Sequence, residues 1–155
     1  MVKLEDIVGV IQGVKGRTSD IVYDLFFAEK RMVAAVVLYF SDLTGPFGGI
    51  TLKTLLLGTL FTRKETKMRS LKLMDERRLA FKDKSLDEIL TLHRANLEVD
   101  YEDVVSVSIR KGLLETSLEF AVQRHPVKKM DFWLERNQVA EVEGLINRVL
   151  PNKVK

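Results

Sequence analysis

The chain of 155 residues contains no cysteine, only two histidines and only three prolines. The absence of cysteine excludes disulfides, thiolate metal sites and cysteine nucleophiles, and it fits a reducing interior compartment. His93 and His125 lie far apart in sequence and lack the spacing of metal ligands, so both are predicted to be ordinary surface residues. No glycine-rich phosphate-binding loop or nucleophile elbow occurs. We therefore expect no cofactor, no metal ion and no catalytic residue.

The composition is typical of one folded domain, with 46% hydrophobic and 30% charged residues. The net charge of +3 is mildly basic and well below that of a dedicated nucleic-acid binder. The first residues, "MVKLEDIVGV", include acidic side chains and lack the continuous apolar run of a secretory signal. We expect a cytoplasmic protein, with peripheral contact to a membrane as an alternative location.

Hydrophobic patterning predicts strands in the first forty residues. The stretch "EDIVGVIQGV" is rich in β-branched residues, and "DIVYDLFFAEKRMVAAVVLYF" contains two apolar segments around a polar turn. Residues 32–40 are continuously apolar, which predicts a strand covered on both faces. Asp20 and Asp24 flank Tyr23 without an identifiable partner in the sequence.

Helical signals follow, and strand signals then return. Residues 51–81 contain no proline and are dominated by good helix formers. Ser85 and Glu88 have the spacing of a capping box, and Asn96 is predicted to close that helix. Four short strand patterns come next, and Asn137 is predicted to cap a final amphipathic helix. The apolar face of this last helix is formed by Val139, Val142, Leu145, Ile146 and Val149.

The order of elements predicts an α+β fold. It consists of a small antiparallel β-barrel or sandwich of about seven strands, a C-terminal capping helix and an inserted helical segment at about residues 45–96. All 155 residues are assigned to one domain, because no linker, repeat or low-complexity tract interrupts the chain.

Two stretches resemble a known family. "YDLFFAEKRMVAAVV" is similar to the second and third strands of small prokaryotic pleckstrin-homology-like (PH-like) domains, and "LEVDYEDVVSVSIRKGLLETSLEF" is similar to their later strands. The resemblance implies a PH-like domain with a helical insertion between the third and fourth strands. Because this family is functionally diverse, the resemblance implies a binding module without naming its ligand.

The stretch "GPFGGITLKTLLLGTLFTRKETK", residues 45–67, is the most unusual part of the sequence. A membrane-spanning helix needs about 20 apolar residues, and Lys53 interrupts this run well before that length. On a helical wheel the stretch has two apolar stripes, which predicts cover on more than one side. That cover is either the protein core, another protein, a second copy of the chain or an anionic membrane surface.

We therefore expect a non-enzymatic PH-like module that presents an apolar and basic helical insertion. The predicted contact residues are Ile50, Lys53, Leu57, Phe61, Arg63, Lys64 and Lys67. A protein partner or self-association is favoured over an anionic membrane. One alternative is an enzyme or metal protein that uses His93 or the acids Glu98, Asp100, Glu102 and Asp103. Another alternative is weak nucleic-acid binding.

Overall fold

The computed structural model describes residues 6–16, 21–39, 60–123 and 128–155. The strands are β1 (Ile7–Gly16), β2 (Ile21–Ala28), β3 (Arg31–Tyr39), β4 (Leu97–Asp100), β5 (Val104–Lys111), β6 (Thr116–Val122) and β7 (Lys129–Leu134). The helices are α1 (Leu60–Phe81), α2 (Leu86–Thr91) and α3 (Arg136–Val149). The predicted α+β class is confirmed, and the described residues include helices α1 and α2 between β3 and β4 and the C-terminal helix α3.

All seven strands belong to one antiparallel sheet, in the order β4-β3-β2-β1-β7-β6-β5. Strands β4 and β5 follow each other in the chain, separated by one turn of 3₁₀ helix, yet they lie at opposite edges. The sheet therefore does not close into the predicted barrel. The four residues of β4 pair with β3, and the outer edge of β5 pairs instead with residues 153–155, called the tail below.

The two halves of the sheet meet at a short joint between β1 and β7. Among the described residues two pairs form it, Lys15 with Trp133 and Gly16 with Phe132. Side chains that pack across the inner face also hold the two halves together.

The main core lies on the inner face of the sheet beneath α3. Phe27, Phe120 and Phe132 are fully buried there, and Val142 and Ile146 of α3 pack against them from the open side. Val139, Leu145 and Val149 lie at the margin of the same cluster, so the predicted apolar face of the C-terminal helix is confirmed.

A second, smaller cluster lies on the outer face of β2 and β3. Val33, Ala35 and Val37 of β3 pack there with Phe81 of α1 and with α2, while the alternate residues of β3 face the main core. The predicted cover on both faces of this strand is confirmed, and the insertion supplies the outer one.

Helix boundaries follow local capping chemistry. The Ser85–Glu88 capping box is present as predicted. The predicted cap at Asn137 is wrong, because α3 begins at Arg136 and Glu135 is its N-cap, paired reciprocally with Gln138. The predicted closing role of Asn96 is also wrong, since α2 ends at Thr91; the Asn96 amide instead links the Ile89 carbonyl to the Val36 N–H.

We expect Ile146→Ala to lower the free energy of unfolding by about 2–5 kcal/mol, because it leaves a cavity where α3 seals the main core. Chemical denaturation monitored by circular dichroism measures the change. Asn147→Ala, one residue further and exposed, should change it by less than about 0.5 kcal/mol. Equal losses in the two variants would contradict the assignment of α3 as the seal.

Candidate functional site

The position of the insertion on the sheet depends on one buried acid. Asp24 lies in the middle of β2, faces the outer side and is 1% exposed. Arg78 of α1 binds it with two parallel hydrogen bonds, from Nε to Oδ2 at 2.7 Å and from Nη2 to Oδ1 at 2.9 Å. Planar bidentate pairs of this kind fix orientation as well as distance. The pair therefore holds α1 in one register on the sheet.

Strand β1 also contributes to this contact. Gly13 donates its backbone N–H to Asp24 Oδ1 at 3.0 Å. Its φ of 72° lies in the left-handed region, and it falls within the irregular stretch of the β1–β2 ladder between Ile11 and Val14. A glycine bulge of this kind frees a backbone N–H from the β-ladder, and here the Gly13 N–H donates to the buried Asp24 carboxylate.

The chemistry of this ion pair is structural. Both oxygens of Asp24 accept hydrogen bonds, and the side-chain bond to Asp24 raises the pKa of Arg78 above its usual value. A groove of about 580 Å³ lies beside the pair, with walls that include Val10, Phe26 and Leu79. With its oxygens occupied, Asp24 positions the helix and is not available as a general base for a ligand in this groove.

Helix α1 also carries exposed apolar residues. Met68, Leu71 and Leu79 are 62%, 51% and 69% exposed. Their spacing places Met68 and Leu79 on the side of the helix opposite Met74 and Phe81, which pack on the sheet, while Leu71 lies between the two sides. Three exposed cations accompany Met68 and Leu71: Lys67, Arg69 and Lys72.

The contacts of α1 also give its direction. Phe81 packs edge-to-face on Phe26, with ring centroids 6.0 Å apart, and Arg78 binds Asp24, which comes earlier in β2. Going backwards along α1 therefore leads towards Ile21, where β2 begins opposite Tyr39, the last residue of β3. We call this side of the molecule the insertion end. At 1.5 Å per residue, about 10 Å of helix separates Met74 from Lys67, so the first half of α1 projects towards and beyond this end.

The tip of the β5–β6 hairpin points away from this end. Ser117 of β6 pairs with Trp133, which pairs with Lys15, and β6 runs from the tip past Ser117 towards the insertion end. Two leucines, Leu113 and Leu114, form the tip of the hairpin and are 99% and 97% exposed. The sequence analysis predicted no contact surface at this segment, although two consecutive leucines between strands are a visible signal of one.

A cavity of about 310 Å³ lies beside the hairpin tip. Its walls combine the two leucines with Trp133 and with the cationic residues Lys15 and Arg136, while Glu115 and Glu135 supply the opposite charge. The hairpin tip thus joins protruding apolar groups to a mixed-charge surface.

The predicted contact residues fall partly on α1. Phe61, Arg63, Lys64 and Lys67 belong to this helix by their backbone, and the Lys67 side chain is exposed. The predictions at Ile50, Lys53 and Leu57 lie outside the described residues.

The residues of the alternative enzyme or metal site make separate local contacts. His93 Nδ1 accepts the Ala95 N–H at 3.0 Å, and its ring lies against Tyr39. Glu98 binds Arg31, while partial desolvation and the nearby Glu98 carboxylate raise the pKa of Asp100. Within the described ranges, no group of three histidine or acidic side chains could hold a metal ion.

Two further findings bear on function. No helix among the described residues is both long enough and apolar enough to span a bilayer. Comparison of the chain with protein-family models, with curated proteins and with solved structures gives no match. The function proposed below is therefore based on the physical features of the insertion end.

We expect Asp24→Asn to lower the free energy of unfolding by about 2–3 kcal/mol, because an amide replaces a carboxylate that receives charged and neutral donors. Hydrogen exchange should show faster exchange of the α1 amides than of the α3 amides.

Asp75→Asn makes the same chemical change at an exposed position of α1 and should alter stability by less than about 0.5 kcal/mol. Unchanged exchange in α1 of the Asp24 variant would show that the ion pair does not hold the helix.

Proposed function

We propose that the protein is a non-enzymatic PH-like binding module that docks on another protein, or on a second copy of itself, through the insertion end. The observation that carries this proposal is the exposed apolar surface there, formed by Met68 and Leu71 on α1. Apolar side chains this exposed mark a contact site when they gather in one region.

The way α1 is anchored supports this role. Its second half is held by Arg78 and Phe81, whereas the exposed part around Met68 and Leu71 faces solvent. A helix fixed at one end presents its other end at a defined angle without much further ordering, which lowers the entropic cost of binding. The predicted residues Phe61 and Lys64 belong to the same helix.

An anionic membrane surface is the second candidate partner. It is favoured by residues 67–72, which contain three exposed cations and no acid beside the apolar side chains. Each lysine or arginine near an anionic bilayer contributes about 1 kcal/mol, and leucines at the surface add apolar burial.

One pair of substitutions tests both candidates. Met68→Asp and Leu71→Asp each place a charge in the proposed contact, so we expect each to weaken docking by at least about tenfold. Light scattering over a wide concentration range measures self-association. Flotation with phosphatidylcholine vesicles, with and without phosphatidylserine, measures membrane binding at low and high salt.

Val105→Asp is the matched control, because Val105 is also about half exposed but belongs to β5 rather than to α1. A partner recovered by the wild type and the control, but lost by both test variants, would support docking on another protein. A monomer that binds neither vesicles nor a cellular protein would contradict the proposal, as would losses of the same size in the control.

A further inference from the structure

The outer edge of β5 already holds a short strand supplied by the chain itself. Val107 donates its N–H to the Lys153 carbonyl at 2.9 Å, and its own carbonyl accepts the Lys155 N–H at 3.0 Å. These two bonds form a parallel bridge between Val107 and Val154. The tail therefore binds β5 by the same backbone pairing that an added peptide strand uses.

Side chains give this contact specificity. Lys153 Nζ donates to the carbonyls of Tyr101 and Val104, at the junction between β4 and β5. Beside Val154, a cavity of about 200 Å³ opens between β5 and α3, with Ile109, Ile146 and Asn147 in its walls. The site thus combines a pair of acceptors for a cation with an adjacent space for an aliphatic side chain.

The edge extends beyond the tail. In an antiparallel ladder the backbone groups of alternate residues point to the same side, so the N–H and carbonyl of Ile109 face the edge that Val107 shares with the tail. Among the described residues only the tail pairs with this edge. An incoming strand that replaced the tail could therefore form the Val107 bonds and continue to Ile109.

We propose that the β5 edge and the neighbouring face of α3 form a strand-addition site for an extended peptide in which a lysine or arginine precedes an aliphatic residue. The tail occupies this site in the free protein and competes with the incoming peptide. This site is separate from the docking surface at the insertion end, and its test does not depend on that proposal.

The test uses a fluorescent peptide with the sequence of residues 151–155, PNKVK, and a matched peptide in which glutamate replaces the first lysine. Three proteins are compared: the full chain, the chain ending at Asn152, and the full chain with Lys155→Pro. Proline at position 155 removes the N–H that Val107 accepts and leaves the rest of the tail in place.

Fluorescence polarisation should show that the chain ending at Asn152 binds PNKVK at least about tenfold more tightly than the full chain, because the tethered competitor is gone. Lys155→Pro should give an intermediate affinity, and the glutamate peptide should bind at least tenfold more weakly. Hydrogen exchange should slow at the Val107 and Ile109 amides when PNKVK binds.

Equal binding of the two peptides, or no binding by the shortened chain while it unfolds cooperatively, would overturn the proposal. If the shortened chain does not fold, Lys155→Pro provides the same comparison. Failure of both variants to fold would show that the tail is a permanent part of the sheet, which also overturns a site that exchanges its occupant.

Discussion

The buried carboxylate of Asp24 is the constraint on which the arrangement of this protein depends. An ionised acid at 1% exposure is stable only when its oxygens receive hydrogen bonds. Strand β1 meets that requirement by turning out the Gly13 amide, and α1 meets it with the Arg78 guanidinium. Three elements are thereby fixed relative to one another by a single side chain. The direction in which the first half of α1 projects follows from this fixed point.

The two faces of the sheet are stabilised very differently. The inner face packs large side chains under α3, whereas the outer cluster is small and includes two alanines of the β2–β3 hairpin. Regions with few buried apolar contacts open at a lower free energy than the core of the same protein. We therefore expect α1 and α2 to open at a lower free energy than α3.

Local features could be read from the sequence, and long-range ones could not. The double cover of β3 and the amphipathic face of α3 follow from hydrophobic periodicity, and the Ser85 cap follows from spacing within one turn. The start of α3 was misplaced because Glu135 can act as a cap through its carboxylate, although asparagine is the commoner choice. The partner of Asp24 lies 54 residues away, and only an isolated acid within "IVYDLFF" hinted at it. The predicted barrel closure was wrong, because closure depends on the relative positions of the edge strands β4 and β5, which the sequence pattern does not give.

The narrow joint between β1 and β7 has a consequence for how the chain is made. The main core is complete only when β7 and α3 arrive, and Gln138 of α3 then reaches back to the Gln12 carbonyl, 126 residues earlier. Until β7 and α3 have been synthesised, the apolar inner face of strands β1–β3 in the nascent chain lacks the side chains that cover it in the folded protein. While residues 129–155 are being synthesised, this apolar face is therefore exposed to aggregation and is a surface that a chaperone can bind.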